Sequence, residues 1–188
     1  SMSKFPNLQT FFFRAPIILH DPCTEVLQFP LKNIKVFRLH MATKDSKIAT
    51  ILKLLNPGCL EEFELQKSNS EAIKGKDLNY FISKISCFRE LRKFSFKGFE
   101  VDHLDHGFKE NIKTMLQALP KLQDSYIQIC SKESCINDTF ADELCHILEY
   151  QKYFARLYFR IDNCNIYYSP KTVIEIDNRK ASMEEIGR

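Results

Sequence analysis

Apolar residues fall along this chain in a short recurring pattern, Leu-x-x-Φ-x-Φ, where Φ is apolar. It stands as Leu8-Gln-Thr-Phe11-Phe-Phe13, Ile34-Lys-Val-Phe37-Arg-Leu39, Leu60-Glu-Glu-Phe63-Glu-Leu65 and Leu91-Arg-Lys-Phe94-Ser-Phe96. Two weaker copies follow, Leu122-Gln-Asp-Ser125-Tyr-Ile127 and Phe154-Ala-Arg-Leu157-Tyr-Phe159. First positions at 8, 34, 60, 91, 122 and 154 give steps of 26, 26, 31, 31 and 32 residues. Self-similarity at a period of roughly 20–50 residues marks stacked repeats, in which one unit cannot bury its apolar face alone. The Φ-x-Φ alternation is that of a half-buried strand. It predicts strands near 10–14, 35–40, 61–66, 92–97, 125–130 and 156–161, in one sheet and in chain order.

Helical periodicity fills the gaps. Asp45 or Ser46 can cap a helix through Ile48, Ile51, Leu52 and Leu55, closed by Asn56-Pro57-Gly58 with the glycine taking a left-handed turn. Leu78, Phe81, Ile82, Ile85 and Phe88 form a second stripe, and Ile112, Met115, Leu116 and Leu119 a third, stopped by Pro120. Asp138 or Thr139 can cap a fourth through Phe140, Leu144, Ile147, Leu148 and Gln151. Strands alternating with helices imply βα units and a parallel sheet. The ends differ: residues 15–33 show no helix, and Ile166-Tyr-Tyr followed by Val173–Ile176 reads as a hairpin-like closing pair. The reading is an α/β fold: a leucine-rich-repeat-like array with a curved, mostly parallel sheet and helices on its convex face. It forms one repeat domain over residues 1–178, with a polar tail over 179–188.

Composition narrows the function classes. Five glycines and no tryptophan stand among 188 residues, against an average glycine share of ~7%, so glycine-rich phosphate loops are absent by count. Charge is nearly balanced, 27 basic against 24 acidic side chains, without the basic stripe of a nucleic-acid binder. Seven cysteines, an odd number without a repeated short spacing, favour reduced thiols and a cytoplasmic protein. Ser1-Met2-Ser3-Lys4 reads as an expression scar rather than a secretory signal, and no apolar run of about 18 residues is present to span a membrane. Cys130, Cys135, Cys145 and His146 lack zinc-site spacing, His103 and His106 fall in a charged loop, and Asn137-Asp138-Thr139 reads as a helix cap. No nucleophile–base motif stands out, so neither catalysis, a metal nor another cofactor is expected.

Three stretches resemble the FTH domain of nematode F-box proteins. They are Ile51 to Leu65 with its Asn56-Pro57-Gly58-Cys59-Leu60-Glu61, the helix pattern from Asp142 to Tyr153, and Phe159-Arg160-Ile161-Asp162 followed by Val173–Ile176. The resemblance covers residues 30–178. Two departures are the lack of the family's Gln-Trp in the third unit and Asp162 where proline is common. The resemblance implies the partner-recognition part of an F-box protein. The F-box itself, which would dock a Skp1-type ubiquitin-ligase adaptor, is not recognisable, so the chain is expected to be the C-terminal part of a longer protein. One family member acts in germline sex determination by binding a KH/STAR-type RNA-binding translational repressor, which implies a translational regulator as partner.

If the Φ residues point inward, the residue between them points outward. That row reads Phe12, Arg38, Glu64, Ser95, Tyr126 and Tyr158, and the next outward row reads Arg14, His40, Gln66, Lys97, Gln128 and Arg160. Aromatic and arginine side chains are the types enriched at interfaces. Phe12, Arg14, Arg38, Tyr126, Tyr158 and Arg160 are therefore the expected protein-partner residues. The alternatives are an RNA-contacting face on which the aromatics stack bases, and docking on the closing strands around Ile166–Ile176.

Overall fold

The computed structural model describes residues 8–14, 32–41, 52–67, 73–134, 138–162 and 170–177. Six parallel strands run in chain order: β1 (Thr10–Arg14), β2 (Val36–Met41), β3 (Glu62–Lys67), β4 (Lys93–Leu104), β5 (Asp124–Ser134) and β6 (Arg156–Asp162). A seventh, β7 (Pro170–Asp177), pairs antiparallel with β6 and closes the sheet. Three described helices lie in the longer steps: α1 (Gly75–Ile85), α2 (His106–Ala118) and α3 (Asp138–Glu149). This is an α/β fold on a seven-stranded, mostly parallel sheet.

The repeat has a backbone cause. The Gln9 carbonyl accepts from the N–H groups of both Lys35 and Val36, at 2.8 and 3.1 Å. The same fork recurs from Lys35 to Glu61 and Glu62, from Glu61 to Arg92 and Lys93, from Arg92 to Gln123 and Asp124, and from Gln123 to Ala155 and Arg156. In each unit the accepting residue directly follows the leading apolar residue. A tight turn delivers the chain to it: Leu91 N–H bonds Phe88 O, Leu122 N–H bonds Leu119 O, and Phe154 N–H bonds Gln151 O. The leading residues Ile34, Leu60, Leu91, Leu122 and Phe154 are all buried.

Register then stacks like on like. Phe11, Phe37, Phe63 and Phe94 align across β1 to β4, with stacked rings 5.2, 5.7 and 6.1 Å apart. Helix α1 lays Phe81 against Phe63 and Phe96, while α2 and α3 bring Phe108 and Phe140 to Phe159. All three helices thus cover the same face. Each fully buried Phe stabilises the fold by about 1.5–3 kcal/mol.

Several details differ from the sequence reading. β4 and β5 run seven and four residues beyond the expected ends at 97 and 130. A bulge at Gly98, with φ at 73°, lets β4 continue past the end of β3, and a bridge from Ile73 to Val101 occupies the extended edge. His103 to His106 is accordingly no loop: His103 is in β4, Asp105 caps α2, and His106 is its first residue. Gly58 has no left-handed φ. The Asn56 carboxamide instead closes that turn by accepting from Gly58 N–H at 3.0 Å. Gln151 lies past the end of α3 and donates to Leu116 O at the end of α2. Cys130 is disulfide-bonded, while Cys59, Cys87 and Cys145 are free thiols. The expectation of seven reduced cysteines is therefore overturned, and with it the cysteine argument for a cytoplasmic protein. The Asp45 or Ser46 cap, Ile48, Ile51 and the strand expected at Ile166–Tyr168 fall outside the described residues, whereas Leu52 and Leu55 are buried.

Candidate functional site

Opposite the helix-covered face, the residues between the buried ones form a polar face that no described helix covers. Strand register puts its rows in line. Phe12, Arg38, Glu64, Ser95, Tyr126 and Tyr158 are consecutive cross-strand partners, as expected. The next row aligns in the same way from Arg14 and His40 to Gln128 and Arg160, although the Arg14 side chain falls outside the described residues.

A third row, missed in the sequence reading, lies two residues earlier: Glu62, Lys93, Asp124 and Arg156 alternate in sign across β3 to β6. The period of two that gave the other rows was enough to find it. Arg38 donates to Glu62 at 2.9 Å, and Lys93 Nζ lies 3.2 Å from the other Glu62 oxygen. Burial opposes the Glu62 charge most, but the bonds from Arg38 and Lys93 outweigh it and hold the carboxyl below its ordinary value. Arg156 Nε lies 3.4 Å from Asp124 Oδ1, within ion-pair range but without hydrogen-bond alignment. Glu64 is shared by Arg38 at 3.8 Å and by His40 and Lys97, both at 3.5 Å. All of these groups except His40 line an open groove of about 320 Å³. On the groove lies Ser95, whose Oγ is buried without a hydrogen-bond partner among the described residues.

The aromatic part stands two strands further on. Tyr126 and Tyr158 stack at 4.6 Å with ring planes 14° apart, and Lys97 Nζ lies 4.6 Å from the Tyr126 ring centre. Tyr126 donates its hydroxyl to Gln128 at 3.3 Å; Gln128 donates to Asp162 at 3.0 Å, and Arg160 donates to the same carboxylate at 2.6 Å. Burial first, then the neighbouring Tyr158, push the Tyr126 hydroxyl above its ordinary value. Asp162, almost fully buried, holds the Arg160 guanidinium and raises its affinity for the proton.

The expected site residues thus share a face but not a patch. Phe12 is 57% exposed on the edge strand, packed edge-on against His40. Tyr158 stands five strand steps away, about 24 Å at ~4.8 Å per step. Arg38 and Arg160 are committed to carboxylates of the same sheet. Of the cysteine–histidine set, Cys130 is in a disulfide, Cys145 is an exposed free thiol, and Cys135 lies outside the described residues. Among the described residues no three His, Cys, Asp or Glu side chains converge to hold a metal, and no helix is long and apolar enough to cross a membrane. No family model, curated protein or solved structure matches this chain.

Proposed function

We propose that this chain is a non-catalytic protein-interaction domain that binds its partner through the polar face of the sheet. The observation that carries the reading is one-sided cover. Parallel sheets are almost always buried on both faces, yet here the described helices pack on one face only, while the other presents aligned rows of charge and a stacked tyrosine pair. Stacked repeats are mostly scaffolds for extended binding surfaces. The recurring forks and aligned rows support a leucine-rich-repeat-like, curved array. The resemblance to the FTH domain supports the recognition part of an F-box protein in the cytoplasm, with a KH/STAR-type RNA-binding translational repressor in germline sex determination as the partner. An RNA-contacting face is less well supported, because the described arginines and lysines of the face already pair with carboxylates, leaving little charge for phosphates.

The test is affinity capture from germline extract with the wild-type chain and with the Tyr126→Ala/Tyr158→Ala double variant, read by mass spectrometry and repeated with nuclease. A protein retained after nuclease treatment and lost with the double variant, at unchanged stability, is expected. Retention of RNA alone, or capture indifferent to both tyrosines, overturns the reading.

A further inference from the structure

The two tyrosines are not equivalent. Tyr126, on β5, has Lys97 from β4 on one side and the Tyr158 ring from β6 on the other. Tyr158 stacks on Tyr126 and its hydroxyl is bonded by the Arg160 side chain, but among the described residues no second ring or cation stacks on it; across from it on β7, its register partner is Glu175. Ile174 is buried and Ile176 packs against the core, so Glu175 between them stands on the polar face, exposed.

Charge bears on the same corner. Glu62, Glu64, Asp124 and Asp162 each have a cation of the sheet within ion-pair distance. Glu175 has no such partner among the described residues. The nearest cations by register, Arg156 and Arg160 on β6, are held by Asp124 at 3.4 Å and by Asp162 at 2.6 Å. The β6–β7 corner therefore offers an aromatic face and an unneutralised carboxylate side by side.

We propose that this corner is a specificity subsite for an arginine side chain of the protein partner; the inference rests on the interaction reading above and names what that face selects. A guanidinium is planar, so it can stack on the Tyr158 ring while its N–H groups bond the Glu175 carboxylate. Lysine can place its charge there but cannot do both with one flat group. Phosphate is repelled by Glu175, so the corner also favours protein over nucleic acid.

The test uses a random 12-residue phage-displayed peptide library selected on the folded chain. Selected peptides are then measured by fluorescence polarisation against wild type, Glu175→Gln and Tyr126→Ala. Binders are expected to share an arginine whose replacement by citrulline, its neutral isostere, weakens wild-type binding roughly tenfold, as befits a charge-assisted contact. In Glu175→Gln that citrulline penalty is expected to vanish. A penalty that persists in Glu175→Gln, or binders without arginine that still respond to Tyr126→Ala, overturn the subsite and leave the interaction face standing. Binders insensitive to both variants, or none at all, overturn subsite and face together. Circular dichroism of each variant excludes unfolding as the cause.

Discussion

Asp105 shows how one residue ties two helices. Its carboxylate accepts from Phe108 N–H at 3.0 Å, capping α2, and from the Asn79 carboxamide of α1 at 3.0 Å. The Asn79 bond first, and the Phe108 bond after it, depress its pKa below the ordinary aspartate value. Asp105→Ala is expected to destabilise the fold by about 1 kcal/mol at neutral pH, the usual cost of a lost cap. A depressed carboxylate contributes stability above its unfolded pKa of ~3.9 and loses it as the pH falls through the lower folded value. The gap between wild type and variant should therefore narrow in urea denaturation at pH 3. A gap equal at pH 7 and pH 3 would show that the charge contributes nothing. Arg38 and Arg160 teach a related lesson: their residue type suggested an interface, but each is engaged by a carboxylate of its own sheet. Glu175, which no residue-type argument singled out, has no such partner among the described residues.

At the scale of elements, one forked carbonyl per unit sets where each strand begins, and one glycine sets the irregularity between β4 and β5. A Cβ at Gly98 would collide with the Lys67 carbonyl, and φ of 73° disfavours any L side chain there. Gly58 is different: its added Cβ would meet only Asn56 Oδ1, at an ordinary 3.5 Å. Gly98→Ala is expected to cost about 1–3 kcal/mol, the scale of enforced backbone strain, while Gly58→Ala stays within about 0.5 kcal/mol. Chemical denaturation of the two variants side by side decides this. Similar losses would mean that the bulge does not constrain the chain.

For the whole molecule, the disulfide at Cys130 bears on stability and on environment. With Cys130 and its partner joined, titration of the unfolded chain without reductant is expected to count no more than five thiols among the seven cysteines. Reductant should restore all seven. A count of seven without reductant would show a fully reduced protein and reinstate the cysteine argument for the cytoplasm. Reduction should also lower the denaturation midpoint, because a cross-link typically stabilises by about 2–4 kcal/mol through constraint of the unfolded chain.

The sequence by itself determined the ladder. Leu-x-x-Φ-x-Φ at steps of 26 to 32 residues located six strands, their order, the buried leading residues and the two outward rows. It could do so because strand facing has a period of two and the same local unit is repeated. The stripes at Leu78–Ile85 and Ile112–Leu116 likewise placed buried helix faces, since helical periodicity is local. The longer β4 and β5, the Gly98 bulge and the bond from Asn79 to Asp105 depend on segments far apart in the chain, and only the tertiary structure decided them. The same holds for the chemistry of the face. Residue type named arginines and tyrosines, but whether Arg38, Lys93 and Arg156 are neutralised depends on carboxylates of neighbouring strands, 24 residues away for Arg38, whereas Arg160 is held by Asp162 of its own strand. The Tyr158–Glu175 corner depends on an antiparallel register that no repeat encodes.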